Sequence, residues 1–313
     1  MEIKTVAILG AGAIGGYFIW GLEQKLGENL WVVAQGERKQ RLEQKGLTVN
    51  GKRYSLHLRT PQQAHGVDLL LVCTKYGALL ESLDAIEAIV DEHTTVLSLL
   101  NGVESEEIIG NRIGKEHMVY SLMKIASERK GDNVVFDGEV TPGLFFGEVG
   151  QREPSERMLA IARLLDDTPL HYHFCPEILR DLWYKFALNI SSNLPQAILG
   201  CGVGIYDDSR YAAHLNQMLY DEVVAVAAAK GIDISAPATA GKRSASAKRA
   251  RYSTLQDLDA KRHTEVDMFS GAVVRMGKEL GIATPYNDFA YCAIKALEEK
   301  NDGKFDYDLK TSV

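Results

Sequence analysis

Apolar and polar positions fall into two textures along this chain. In the first half, short apolar runs at 6–9, 30–33, 69–73 and 95–100 alternate with amphipathic stretches. Runs of this length, bounded by polar or glycine-containing segments, read as buried strands. Strand and amphipathic segment in alternation imply right-handed crossovers and a mainly parallel sheet with helices on both faces. Later runs at 119–122, 133–136, 143–147 and 170–174 predict an antiparallel extension of that sheet, and a helix over 154–165 opens on Pro-Ser-Glu. Beyond Pro176 the period changes, because apolar residues recur at three and four. That spacing predicts helices over 178–197, 211–230, 255–280 and 287–300. The expected organisation is an α/β domain over 1–174 and an all-α domain over 175–313, divided where a strand ends before a proline. The polar tail after Asn301 is expected to be loosely held.

Composition narrows the partners. With 313 residues, 46% of them hydrophobic, the chain can bury a core in each of two domains. A net charge of -7 argues against nucleic acid, whose phosphates need a basic surface. The basic stretch from Lys242 to Arg251 is the exception, and it reads as a solvated surface ahead of an anion site. Cys73, Cys175, Cys201 and Cys292 form no C-x-x-C pair, so buried free thiols in a reducing compartment are expected. The N-terminus lacks a signal-peptide apolar region, and no run approaches the roughly 20 apolar residues of a membrane span. A cytoplasmic protein without membrane contact is the expectation. His171 and His173 alternate on a predicted strand, but without a third ligand they read as structural, and no metal is expected.

The first chemical motif is Gly10-Ala11-Gly12-Ala13-Ile14-Gly15, between the first strand and a helix. The first glycine permits a tight turn, the second lets backbone approach a pyrophosphate, and the third allows close helix-to-strand packing. With a second strand at the correct distance, the motif predicts a Rossmann-type dinucleotide-binding domain. Where an acidic residue would bind the ribose of NAD, the chain carries Ala34-Gln35-Gly36, so NAD is disfavoured. Arg38 or Lys39 could meet a 2′-phosphate, or simply be surface charges opening a helix. Lys75 and Asn101 follow the third and fourth strands, and in a doubly wound sheet both would reach the ligand crevice at the strand ends.

The helical half offers a proton donor. Lys185, Asn189 and Asn193 recur at a spacing of four in an otherwise apolar helix, placing one amine and two amides on a single face. In isolation the lysine would be a snorkelling surface residue. Beside a dinucleotide motif it becomes a candidate catalytic acid. Ser253 opens a predicted helix, with Asp257 as a first-turn charge, and Glu265 lies in Arg262-His-Thr-Glu-Val-Asp267 on the long predicted helix. Taken alone, Glu265 reads as a surface residue.

Together, Gly10-x-Gly12-x-x-Gly15, Thr74-Lys75, Asn101-Gly102, Leu182-Trp-x-Lys185-x-x-x-Asn189-x-x-x-Asn193, Ser253-x-x-Gln256-Asp257 and Arg262-His-Thr-Glu265-Val-Asp267 resemble the ketopantoate reductase family, also called 2-dehydropantoate 2-reductases. The resemblance covers nearly the whole chain. It implies NADPH-dependent reduction of 2-dehydropantoate to pantoate, on the route to pantothenate and coenzyme A. It implies Lys185 as proton donor and Asn189, Asn193 and Ser253 as substrate-binding residues. It also implies Lys75 as a cofactor contact, Asn101 touching cofactor and substrate, and Glu265 near cofactor and lysine. Gln35, Ala78 and Val203 depart from the family pattern, which bears on NADPH preference and on the far end of the substrate pocket. A reductase of another 2-keto acid and a non-catalytic nucleotide-binding regulator are the alternatives. The long helical half offers surface for a homodimer.

Overall fold

Consecutive side chains of β1 (Val6–Leu9) enter different cores, which shows how the first half is built. Val6 and Ile8 join one apolar cluster, Ala7 and Leu9 the other, as the two-residue period of a strand covered on both faces requires. The computed structural model describes residues 2–130, 133–235 and 247–305. Its contacts divide the chain into Met1–Leu182 and Trp183–Val313, and each unit is described in turn.

In the first unit β1 is followed by α1 (Ala13–Leu26), β2 (Leu30–Val33), α2 (Gly36–Lys45), β3 (Leu47–Val49), β4 (Lys52–Tyr54), β5 (His57–Arg59) and β6 (Leu69–Val72). Then come α3 (Leu79–Ile89), β7 (Thr95–Ser98), α4 (Ser105–Ile113), β8 (Met118–Lys124), β9 (Ser127–Lys130), β10 (Asn133–Phe136), β11 (Gly143–Gly147), α5 (Glu156–Leu165) and β12 (Tyr172–Phe174). Eight strands form one sheet in the order β12-β11-β8-β7-β6-β1-β2-β5. β1 pairs in parallel with β2 and with β6, Val6 standing opposite Leu30 and Leu69. Residues of α1 and α5 pack in the cluster on one face, and those of α3 and α4 in the cluster on the other. The doubly wound sheet expected from the alternation is present.

Two expectations about the later strands need correction. β8 lies parallel to β7, and β12 parallel to β11, so among the described residues of the main sheet only the β8 to β11 pairing is antiparallel. β10 leaves the main sheet altogether and joins a four-stranded sheet in the order β4-β3-β10-β9. That second sheet leans on α1 at Gly16, where an added Cβ would meet Val49 at 3.4 Å and Val134 at 3.7 Å. The three-residue strands β3, β4 and β5 leave little trace in the sequence: in Lys52-Arg53-Tyr54 only the tyrosine is buried.

Helices make up the second unit. α6 (Ile178–Leu199) runs across the division, its first turn packing Ile178 and Leu182 with Leu122 and Cys175 of the first unit. α7 (Ile205–Asp208), α8 (Arg210–Ala229), α9 (Ser253–Asp259), α10 (Ser270–Leu280) and α11 (Pro285–Asn301) follow. Phe186, Ile190, Val223, Val226, Phe269, Val273 and Ile294 are all but inaccessible and form its interior. The helix expected over 255–280 is two helices. After α9 the backbone turns at Lys261, with a positive φ of 52°, and residues 260–269 form an irregular segment. Helix C-termini often end in such a left-handed residue.

Cys201 and Cys292 are exposed, against the expectation of buried thiols; Cys175 is buried and Cys73 partly so. The first half of the basic stretch and the last residues of the tail lie outside the described residues, which exclude 236–246 and 306–313. Of its described part, Lys248 pairs with Asp208 at 2.5 Å and Arg251 with Asp259 at 2.7 Å. No described helix is long and apolar enough to cross a membrane.

Candidate active site

The glycine motif closes the first turn of the sheet by removing side chains where backbone needs the room. Gly10 has a φ of 113°, and a Cβ on it would lie 2.5 Å from the Cys73 carbonyl oxygen at the end of β6. A Cβ on Gly15 would collide with the Gly10 carbonyl. Gly12 differs, since a Cβ there would meet nothing within 4 Å. It is the N-cap of α1, a helix with no side-chain cap and no acidic residue in its first turn. Its first turn thus has no side-chain cap, a positive dipole end and room above Gly12, an arrangement suited to phosphate.

Neighbouring strand ends complete this edge. Because β6 pairs in parallel with β1, and β7 in parallel with β6, Thr74-Lys75 and Asn101-Gly102 emerge at the same edge of the sheet as the glycines. Lys75 is exposed and Asn101 half-buried. Thr74 Oγ1 is buried and has no hydrogen-bond partner among the described residues, although the sequence singles the residue out only as part of Thr74-Lys75. A buried hydroxyl without a partner costs free energy until a ligand supplies one. The cradle above Gly12 and this hydroxyl together fit a dinucleotide.

At the β2 end Gln35 is the N-cap of α2 and makes no capping bond. Arg38 is exposed, and Lys39 pairs with Glu43 at 3.7 Å. Arg59 brings a further guanidinium to this edge. It ends β5 opposite Val33 and stacks over the Trp31 ring at 5.7 Å. Sequence reasoning missed it because β5 itself is too short to read.

On α6, Lys185 and Asn189 are half-buried and Asn193 is buried, at 6% exposure. The intervening Phe186, Ile190 and Leu194 point inward, as the 3.6-residue period demands. Two residues past Asn193, Pro195 interrupts the helix and cannot donate to the Ser191 carbonyl. Asn216 Nδ2 donates to that carbonyl at 2.8 Å. The Tyr206 hydroxyl sits between the Ser192 carbonyl and the Gln196 amide, groups that a regular helix would join directly. Side chains from α7 and α8 thus hold the helix just beyond its polar face.

Glu265 lies in the irregular segment, not on a helix, and is half-buried. Its carbonyl accepts from the amides of Met268 at 3.0 Å and Phe269 at 3.2 Å. Phe269 tilts against Phe186 of α6 with ring centroids 6.5 Å apart. One residue before it, Thr264 donates from N and from Oγ1 to Glu298 Oε1, both at 2.7 Å. Glu298 is 2% exposed and also pairs with Lys295 at 2.9 Å. Asp267 accepts from the Tyr291 hydroxyl at 2.8 Å. α11 therefore anchors this segment on both sides of Glu265. Ser253 is exposed and is the first residue of α9, after Tyr252 as N-cap. Asp257 is not a first-turn charge: it lies in the next turn and pairs with Arg262 at 2.7 Å. In the first unit His171 Nδ1 lies 2.8 Å from the Thr141 carbonyl, and His173 stacks on Phe145.

Residues 6–149 match the family model described as ketopantoate reductase PanE/ApbA, and residues 177–298 match that of its C-terminal domain. A 2-dehydropantoate 2-reductase from Lactococcus lactis subsp. lactis is 28% identical, across 94% of this chain and 98% of its own length. One from Archaeoglobus fulgidus is also 28% identical, across 95% and 99%. Among solved structures, a D-mandelate dehydrogenase complexed with NADH and anilino(oxo)acetate is 26% identical, with a TM-score of 0.79 over 95% of this chain and 99% of that one.

Proposed function

The chain belongs to the ketopantoate reductase family of NADP-dependent oxidoreductases, and on that premise we propose that it reduces 2-dehydropantoate to pantoate with NADPH. The observation that carries the proposal is the Lys185, Asn189 and Asn193 face of α6, half-buried to buried and flanked by an apolar interior. Bound NADPH supplies a hydride for the keto carbon. Gly10, Ala11, Gly12, Ala13, Ile14, Gly15, Thr74, Lys75, Asn101 and Glu265 are the residues that would hold it.

The remaining chemistry belongs to side chains. As the carbonyl carbon is reduced, negative charge grows on its oxygen, and the Lys185 ammonium stabilises that charge and gives it a proton. The π component of the carbonyl gives way to a new C–H bond and a new O–H bond while the C–O single bond stays, the lysine is reprotonated from solvent, and a 2-hydroxy acid leaves. Asn189 and Asn193 bind substrate hydroxyl and carboxylate oxygens through neutral amides, so they do not compete with the lysine as charges. Ser253 adds a hydroxyl to the substrate set. Glu265 orients the ammonium, which a carboxylate does by charge-assisted hydrogen bonding.

Lys185→Ala should abolish turnover while NADPH still binds. Turnover at the wild-type rate in that variant would remove the lysine from the mechanism. A second reading, reduction of a different 2-keto acid, is favoured by Gln35 at the β2 end and by the likeness to a D-mandelate dehydrogenase crystallised with NADH. Oxidation of NADPH and of NADH with 2-dehydropantoate beside branched and aromatic 2-keto acids decides between them, through the order of kcat/KM.

A further inference from the structure

Gln196 lies on α6 one turn past Asn193 and is wholly buried, at 0% exposure. Its amide is spent on a distant stretch of backbone. Nε2 donates to the Ala250 carbonyl at 3.0 Å, and Oε1 accepts from the Tyr252 amide at 2.7 Å. A carbonyl and an N–H on either side of one residue are the pair that a parallel strand would engage. The side chain thus acts as a one-residue strand, holding the backbone at Ala250 and Tyr252 up to the point where α9 begins. The Val203 amide reinforces the grip by donating to the same Ala250 carbonyl at 2.9 Å. On its own helix Gln196 is held in turn, its amide donating to the Tyr206 hydroxyl at 3.1 Å.

We propose that Gln196 is a positioning residue that sets Ser253 relative to Asn193 for binding of the keto acid. The proposal rests on the reductase reading above. Tyr252 is extended, with φ −80° and ψ 169°, and Ser253 is the next residue. Only the Tyr252 φ and ψ and one planar peptide lie between the clamped amide and the Ser253 Cα, so fixing Tyr252 fixes where the hydroxyl starts. Gln196 and Asn193 are three residues apart on α6, in the turn that Tyr206 and Asn216 hold. The clamp therefore measures Ser253 against Asn193 in one rigid frame. A shorter amide would not span to both backbone groups, and an apolar side chain of equal length would span but bind neither.

Steady-state kinetics of Gln196→Met test this. The expected result is a KM for the keto acid raised about tenfold or more, because a misplacement near 1 Å suffices for such a loss. NADPH affinity, read by nucleotide fluorescence, should stay within about twofold, since the glycine motif lies in the other unit. Amide hydrogen exchange at Tyr252 should accelerate in the same variant. Gln196→Asn is too short to reach both backbone groups and should likewise raise KM, which provides a second variant if the methionine form misfolds. In Ser253→Ala, Gln196→Met should add no further rise in KM, since it acts through that hydroxyl. A KM within twofold of wild type in both Gln196 variants, or effects that multiply in the double variant, would overturn the proposal. Failure of the reductase reading is seen separately, as a wild-type protein that oxidises neither nicotinamide with any 2-keto acid.

Discussion

Glu298→Ala tests whether α11 holds the segment that carries Glu265. In the native protein one carboxylate oxygen of Glu298 accepts two bonds of 2.7 Å from Thr264, and the other lies 2.9 Å from the Lys295 ammonium. The carboxylate is 2% exposed, so water cannot replace it without a rearrangement. Truncation removes two hydrogen bonds to an ionised acceptor, worth about 1.5–3 kcal/mol each, which predicts a loss of about 3–6 kcal/mol. Glu298→Gln keeps an acceptor for Thr264 and loses only the charge, so it should cost about half as much or less. Equilibrium urea unfolding followed by circular dichroism reads the difference, and with two units the transition of the helical unit is the one that should move. A double-mutant cycle with Thr264→Val isolates the pair, and coupling of about 1 kcal/mol or more is expected. A Glu298→Ala variant within about 0.5 kcal/mol of wild type would refute the reasoning, because such a cost is that of an ordinary surface substitution.

Three further outcomes follow from local geometry. Gly12→Ala should fold as the wild type does, since the added methyl meets nothing within 4 Å, yet bind NADPH at least about tenfold more weakly because it occupies the space above the α1 N-terminus; unchanged affinity in a titration would dissociate the motif from the cofactor. Tyr206→Phe removes the hydroxyl lodged between Ser192 and Gln196 and should cost about 1–3 kcal/mol in chemical denaturation, whereas a neutral result would mean that the helix closes by itself. Burial holds the pKa values of Tyr17, Tyr120, Tyr172 and Tyr220 above the usual tyrosine value, and the Asp267 hydrogen bond does so for Tyr291. The folded state then keeps protons that the unfolded chain has lost, so this stability is complete below the unfolded value of about 10 and falls as pH rises beyond it. Denaturation midpoints should drop between about pH 8 and pH 11, and equal midpoints would contradict the sign.

What the sequence determined by itself is whatever depends on neighbours along the chain. Glycines at 10, 12 and 15 specify a turn because the backbone there needs no Cβ, and that need is met within one strand and one helix. Spacing of four puts Lys185, Asn189 and Asn193 on one face because helix geometry is local. Alternating apolar runs announced the parallel sheet for the same reason. Only the tertiary structure decided the rest. The segment around Glu265 has a helical sequence pattern, but it is turned out of a helix beside a carboxylate 34 residues further on. Gln196 reaches backbone 54 and 56 residues away. The second sheet depends on which residues lean on Gly16, and β3 to β5 are too short to carry a period of their own. A buried polar group takes its partner from whatever the fold brings within hydrogen-bond reach, and a linear pattern of apolar and polar positions carries no record of that distance.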